Sequence, residues 1–411
     1  MPLEKRGAVP LAVGRLENAS RRTWDGIVVG AGPAGAVAAR QLARLGRSVL
    51  LVDKAAFPRY KVCGCCLNAT ASAMLERIGL AHLLRDLRAQ PIDQLTLASA
   101  GRVVPLPLFN GGFAVSREAL DAALVREAIS GGVEFIDGTE ARVSDETADK
   151  RVLQLSNRAI AVQVAAKVVI AADGLRGSLL EACPEFPRIA APDSLVGIGT
   201  TLAKAPPSFR AGTIYMAVAH GGYVGQVRLE DGRLDVAAAV DRRLLADAGG
   251  PAQAAKQIVE AAGFPWPGEL SALKWHGTPP LTRRLARVAG PRLFVIGDAG
   301  AYVEPFTGEG MAWAMLSACA VAPIVCEAVE HDSPQRLMAR WEAAHRQLLG
   351  RRMLVCRGIS KLLRSPRLSH AAIAALDRFP WLASPLLRYL SAPLPRFAVR
   401  ALDRLDAKTI V

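Results

Sequence analysis

Hydrophobic positions along the chain follow two periods, and the switch between them marks out the elements. Unbroken apolar runs in Asp25–Val29, Ser48–Val52, Val168–Ala172 and Arg292–Ile296 predict strands buried on both faces. Helix-forming stretches lie between them. Ala36–Leu45 is rich in Ala, Leu and Arg and closes at Gly46; Ala69–Ile78 follows; Ser116–Ser130 has Ser116 as its N-cap and leads to a short strand at Gly132–Ile136. Ile92–Leu97 and Val103–Leu108 read as strands about a turn at Gly101-Arg102, and Arg142–Ser156 with Ala161–Val164 as a small antiparallel excursion. From about Asp193 to Trp275 strands dominate. Val196–Leu202, Thr213–Ala219, Tyr223–Leu229 and Leu234–Val240 predict an antiparallel sheet, interrupted by one helix at Pro251–Ala262. A long helix starts at Gly310. The tail from about Pro334 is helical, with breaks near Pro366, Pro380, Pro385 and the pair Pro393 and Pro395, and residues 1–23 read as a ragged basic leader.

The first strand runs into Gly30-Ala31-Gly32-Pro33-Ala34-Gly35. Gly-x-Gly-x-x-Gly between a strand and a helix is the dinucleotide-binding turn. Gly30 permits the turn, Gly32 lets backbone approach a pyrophosphate, and Gly35 lets helix and strand pack closely. The helix start offers free N–H groups to phosphates. Asp53 ends the second strand 18 positions after Gly35, where a carboxylate suits a ribose hydroxyl.

Composition sharpens this picture. A chain of 411 residues with 51% hydrophobic residues has ample material for a core. Its net charge of +14 is concentrated late: residues 351–411 hold twelve Lys/Arg against three Asp. That excess suits an acidic partner or a membrane surface. No nucleic-acid motif accompanies it, so nucleic acid is not expected. Seven cysteines, three of them at Cys63, Cys65 and Cys66, do not form a disulfide framework, and no apolar leader is present, so a cytoplasmic location is expected. Gly310–Cys326 is uncharged but short for a membrane span and contains Pro323. No second Cys/His pair stands at zinc spacing, so no metal is expected.

Three further motifs follow the glycine turn in order: Ala171-Ala172-Asp173-Gly174-Leu175-Arg176-Gly177-Ser178, then Val295-Ile296-Gly297-Asp298-Ala299-Gly300, then Glu304-Pro305-Phe306-Thr307-Gly308-Glu309-Gly310-Met311. With them, residues 24–330 resemble the FAD-dependent oxidoreductases built like the aromatic hydroxylases and geranylgeranyl reductases. The resemblance implies an α/β fold: a Rossmann-like FAD-binding domain assembled from discontinuous segments (24–91, 116–187 and 291–333), with an inserted, mostly antiparallel substrate sheet (92–115 and 188–290) and a basic helical C-terminal region (334–411). It implies that FAD meets Gly30, Gly32, Ala34, Gly35, Asp53, Lys54, Arg59, Cys63, Gly64, Arg117, Asp173, Gly174, Gly297, Asp298, Pro305, Gly308, Gly310 and Met311. Asp298 would hold the ribityl or pyrophosphate region, Arg117 would lie on the helix behind the cofactor, and the Gly308–Met311 helix start would face the N1/C2 edge of the flavin. A helix dipole there favours the anionic reduced ring. With one glycine turn only, NAD(P)H is expected as a transient reductant.

Pro-Phe-Thr-Gly-Glu-Gly and Lys61-Val62-Cys63-Gly64 resemble the geranylgeranyl reductase branch. The Trp-x-Trp-x-Ile-Pro of flavin-dependent halogenases is absent. So is the Tyr-x-Trp-x-Phe-Pro of the reductases, whose place is taken by Gly222-Tyr223-Val224-Gly225-Gln226-Val227. On that departure the sequence leans to an NAD(P)H-dependent monooxygenase of a lipophilic or aromatic small molecule. Reduction of an isoprenoid double bond and modification of a partner protein's side chain are the alternatives. Cys63 and Tyr223 are the catalytic candidates, with Lys61 and Arg59 placed to favour a thiolate. The apolar residues of the tail, among them Leu362-Leu363, Ile373, Leu376, Leu386-Leu387, Leu390 and Leu394, fit a cap on the flavin domain with solvated arginines; a membrane-facing amphipathic surface is the competing expectation.

Overall fold

The computed structural model describes residues 11, 13–304, 306, 308–331 and 333–390. Strand Trp24–Val29 lies in the middle of a parallel sheet, flanked by Val49–Val52 on one side and Ala161–Ala171 on the other. Glu134–Ile136 and Leu293–Val295 extend that sheet outward. Every residue of Val49–Val52 and Leu293–Val295 is buried, as strands covered on both faces require. Registers align Val29 with Val52 and Ala171, so the strands end together. Ligands of open parallel sheets bind beyond such ends. Here the glycine turn, Asp53, Asp173 and Asp298 all follow within a few residues of a strand end.

The inserted domain is a second sheet. Val196–Leu202, Leu234–Val240, Gly222–Arg228 and Thr213–Ala219 pair antiparallel in that order, and Gln90–Ser99 joins Thr213–Ala219 in parallel. Helix Pro251–Ala262 covers one face of it with Ala254, Ala255, Ile258 and Val259.

Four expectations need correction. The excursion and the buried run behind it are one strand, Ala161–Ala171, whose outer half is partly exposed while its inner half is buried. The Ile92–Leu97 and Val103–Leu108 strands run longer, as Gln90–Ser99 and Arg102–Ala114. The leader is not all ragged: Leu16–Ala19 is a helical turn whose Leu16 and Ala19 enter the core, and the Trp24 indole N–H donates to the Ala19 carbonyl at 3.0 Å. Pro385 breaks nothing, because it sits in the first turn of Ser384–Leu390, where a missing N–H costs little.

Helix Gly310–Glu330 is long and apolar enough to cross a membrane, yet 78% of its most apolar window is buried inside the protein. Helix Pro334–Arg364 packs Leu337, Trp341, Leu348 and Leu349 into the same core. The tail then leaves the flavin domain. Leu363, Ile373, Ala383 and Leu387 join Leu97, Leu106, Met216 and Tyr223 of the inserted sheet. The expected cap is therefore divided: its first half covers the nucleotide domain, and its second half roofs the substrate sheet. Pro393, Pro395 and Leu394 lie outside the described residues, as does the Leu390 side chain.

Candidate active site

The glycine turn owes its shape to crowding. Gly30 has φ +100°, and a Cβ there would stand 2.4 Å from the Ala172 carbonyl oxygen. A Cβ at Gly35 would stand 1.7 Å from the Gly30 oxygen, so only glycine lets helix Pro33–Arg44 seat on the strand. Asp53 ties the turn down. Its Oδ2 accepts from Ala31 N–H at 2.8 Å and its Oδ1 from Ala55 N–H at 2.9 Å.

Arg117 and Asp121 form a buried pair one helical turn apart, with bonds of 2.9 and 2.8 Å. Arg59 joins them, 3.2 Å from Asp121 and 3.6 Å from Asp53. A Cβ at Gly32 would meet both the Arg59 and Arg117 guanidinium heads, at 3.6 and 3.7 Å. Two guanidiniums and a helix N-terminus thus converge over Gly32. That donor set fits the pyrophosphate of a dinucleotide. Burial opposes the Arg117 charge, but Asp121 and Cys63 hold it firmly. Arg117 is not a solvated helix-end residue. Asp121, the partner that fixes it, is not among the residues expected from sequence, although an i,i+4 Arg–Asp pair on an otherwise apolar helix face was the available signal.

Asp173 serves its own turn, its Oδ2 accepting from Leu179 N–H at 3.0 Å. Lys54 reaches across to the Arg176 carbonyl at 3.2 Å. Asp298 lies 4.0 Å from the Lys61 ammonium; burial pushes its carboxyl up, against the pull of Lys61, Arg117 and Arg283. Gly297 is held from behind, donating to Ser317 Oγ at 3.1 Å.

At the centre, Cys63 sits between Cys65 and Arg117. A hydrogen bond from Cys65 and the Arg117 charge lower the Cys63 thiol, while the same hydrogen bond and burial raise Cys65. Cys63 is therefore the more acidic thiol of the pair, and Cys65 the one that keeps its proton more firmly. Cys65 has φ +51°, an uncommon conformation for a side-chain-bearing residue. Cys66 also lines the cavity, its thiol donating to the Gly64 carbonyl at 2.9 Å. Asp235 is buried on the neighbouring strand beside these thiols; burial, then the Cys63 charge, raises its carboxyl well above the usual range.

One cavity of about 680 Å³ joins these groups. Gly32, Ala34, Asp53, Lys54, Arg59, Cys63, Gly64, Arg117, Asp173, Gly174, Asp298, Gly308, Gly310, Met311 and Tyr223 all line it. Gly30 lines a small adjoining pocket. Gly35 and Gly297 line neither and instead shape the two turns. Pro305 lies outside the described residues.

Beyond the charged end the cavity becomes an apolar chamber. Leu95, Leu97, Leu106, Leu108, Ile214 and Met216 form its wall. Ile359, Leu376, Leu382, Ala383, Leu386 and Leu387 of the tail form its roof. Tyr223 stands in this chamber, edge-on to Phe306 with ring centroids 5.2 Å apart. Burial pushes its phenol up, so it keeps its proton. Tyr60 and Tyr302 also face the cavity. The sheet that the roof residues cover is out of reach of sequence reasoning, because their partners lie far earlier in the chain.

The Glu304–Glu309 loop is gripped from the tail. Arg352 donates to the buried Glu309, and Arg364 donates to the buried Glu304. Cys356 Sγ also lies 3.5 Å from Glu309. These arginines are not solvated, contrary to expectation.

A family model described as an FAD binding domain matches residues 23–354. The chain belongs to this FAD-binding family. It is 30% identical over 372 residues to a menaquinone reductase of Mycolicibacterium smegmatis, covering 84% of this chain and 85% of the relative. It is 27% identical over 350 residues to a digeranylgeranylglycerophospholipid reductase of Methanoculleus marisnigri, covering 79% and 83%. Among solved structures, the flavin-dependent brominase Bmp2 shares the fold at a TM-score of 0.75 and 16% identity, covering 94% of this chain and all of that one, 100%. The protein is an FAD-dependent oxidoreductase.

Proposed function

We propose that this flavoprotein reduces a carbon–carbon double bond in an isoprenoid lipid, with NAD(P)H as the electron source. The apolar chamber carries this reading. Its leucine, isoleucine and methionine walls offer a long hydrocarbon chain burial at about 25 cal/mol per Å² and few polar partners. The names of the reductase relatives support the same substrate class. The missing Tyr-x-Trp-x-Phe-Pro, which favoured hydroxylation in the sequence, is offset by a roof that the motif does not encode.

Bound FAD supplies the hydride. Arg59, Arg117 and the Gly32 helix start would hold its phosphates, and the Gly308–Met311 stretch would face its ring. Reduction adds one hydride and one proton across the double bond. The proton shared by Cys63 and Cys65 is placed at the charged end of the chamber. Cys65, the thiol that keeps its proton beside the acidic Cys63, is the group that delivers it, and water reprotonates it after each turnover. Tyr223 retains its phenolic proton and shapes the wall with Phe306.

The test is anaerobic incubation with NADPH and prenylated quinones or geranylgeranyl lipids. The expected product is two mass units heavier. Incorporation of labelled oxygen from O₂ in air, with no anaerobic turnover, overturns the reading in favour of hydroxylation.

A further inference from the structure

Ten large apolar side chains stand exposed among the described residues, and seven of them lie between Leu354 and Leu386. Single exposed apolar residues need no explanation, but such a concentration does. Four are consecutive or nearly so: Phe379, Trp381, Leu382 and Leu386, exposed by 47%, 67%, 42% and 40%. Two of these have a double position. Leu382 and Leu386 line the apolar chamber and also face solvent, so they form its rim.

The same stretch of chain is cationic. Lys361, Arg367, Arg378 and Arg388 are exposed and have no carboxylate partner among the described residues. Asp377, the acidic residue of this stretch, is already paired with Arg102 at 3.1 Å. Exposed aromatic and leucine side chains interspersed with Lys and Arg are the composition that settles at the headgroup level of an anionic bilayer. A second copy of the chain would bring the same charges against these and be repelled.

We propose that this rim docks on an anionic phospholipid bilayer, so that a lipid substrate enters the chamber from the membrane without crossing water. Phe379 and Trp381 insert, the arginines meet lipid phosphates, and Leu382 and Leu386 mark the passage. The route rests on the isoprenoid reading above; the docking itself does not.

The experiment is flotation of the full-length holoprotein with vesicles of phosphatidylcholine alone or with phosphatidylglycerol added. Binding is expected to the mixed vesicles and to weaken with salt. Phe379→Ser/Trp381→Ser is expected to lose binding at least roughly tenfold, and Arg367→Glu/Arg378→Glu at least roughly tenfold. Because all four positions are exposed, bound FAD and the melting temperature are expected to stay at wild-type values. Failure of the wild-type protein to bind mixed vesicles, or binding that neither double variant weakens, overturns the proposal. A dimer that dissolves in Phe379→Ser/Trp381→Ser without any vesicle binding overturns it in favour of self-association. Turnover of detergent-solubilised prenylated quinone separates the two readings: vesicle binding without such turnover supports docking and overturns the substrate class.

Discussion

Arg352 in the tail helix donates to Glu309, the residue immediately before helix Gly310–Glu330. Both are buried, so each is the other's means of carrying charge away from water. Removing one partner of such a pair costs about 3–5 kcal/mol, because the other stays buried and uncompensated. Arg352→Met is expected to destabilise by that amount in urea melts. Arg352→Met/Glu309→Gln is expected to recover more than half of the loss, which a double-mutant cycle measures.

Asp53→Ala is expected to weaken FAD retention by about 1.5–3 kcal/mol. It should also lower the melting temperature of the apoprotein, because Ala31 and Ala55 lose their acceptor. Unchanged apoprotein stability, read by calorimetry, would assign the carboxylate to the cofactor alone.

Cys63 is expected to react with iodoacetamide at a pH below the ordinary thiol range, and ahead of Cys65 and Cys66. Peptide mass spectrometry after brief labelling of the apoprotein reads the order. In Cys65→Ala the half-maximal pH of Cys63 labelling is expected to rise, since the Cys65 hydrogen bond is the first cause of its acidity. In the holoprotein, Cys63→Ser should reduce turnover more than FAD content.

Burial lowers the His345 imidazole to about 4 from an ordinary 6.5. A depressed imidazole belongs to the folded state in its neutral form. Its contribution is complete above about 6.5 and is lost as pH falls toward 4. The loss amounts to about 3 kcal/mol at most. His345→Gln is expected to flatten that part of the stability profile, measured as melting temperature against pH.

The strands and turns were legible where local pattern decides them. Leu234–Val240 and Pro251–Ala262 appear with the bounds read from sequence, because period and flanking glycine or proline settle both. The glycine turn and the acid that ties it down were legible for the same reason: a glycine turn followed by a strand-end acid is a local grammar. Ala161–Ala171 was split because its outer half alternates and its inner half does not, which reads as two elements when it is one strand leaving the core. The roof was legible as a cap, but the surface it covers was not. Leu387 and Leu106 share one cluster, though one lies on a helix near the end and the other on a strand near the beginning, and neither segment's period names its partner. Charge misled in the tail: Arg352 and Arg364 look solvated in a basic stretch, and their carboxylates are Glu309 and Glu304, ahead of helix Gly310–Glu330.

Helix Pro334–Arg364 is a single rod of 31 residues, with Trp341 bonded to the Val295 carbonyl at one end and Ile359 over the chamber at the other. Between them it carries the counter-charge of Glu309, and at its last turn that of Glu304. Truncating the chain at the start of its basic tail would therefore not remove an appendage. It would open the apolar chamber and strand two buried acids in one stroke, so a loss of activity in such a truncation would report demolition of the enzyme and not the loss of a docking arm.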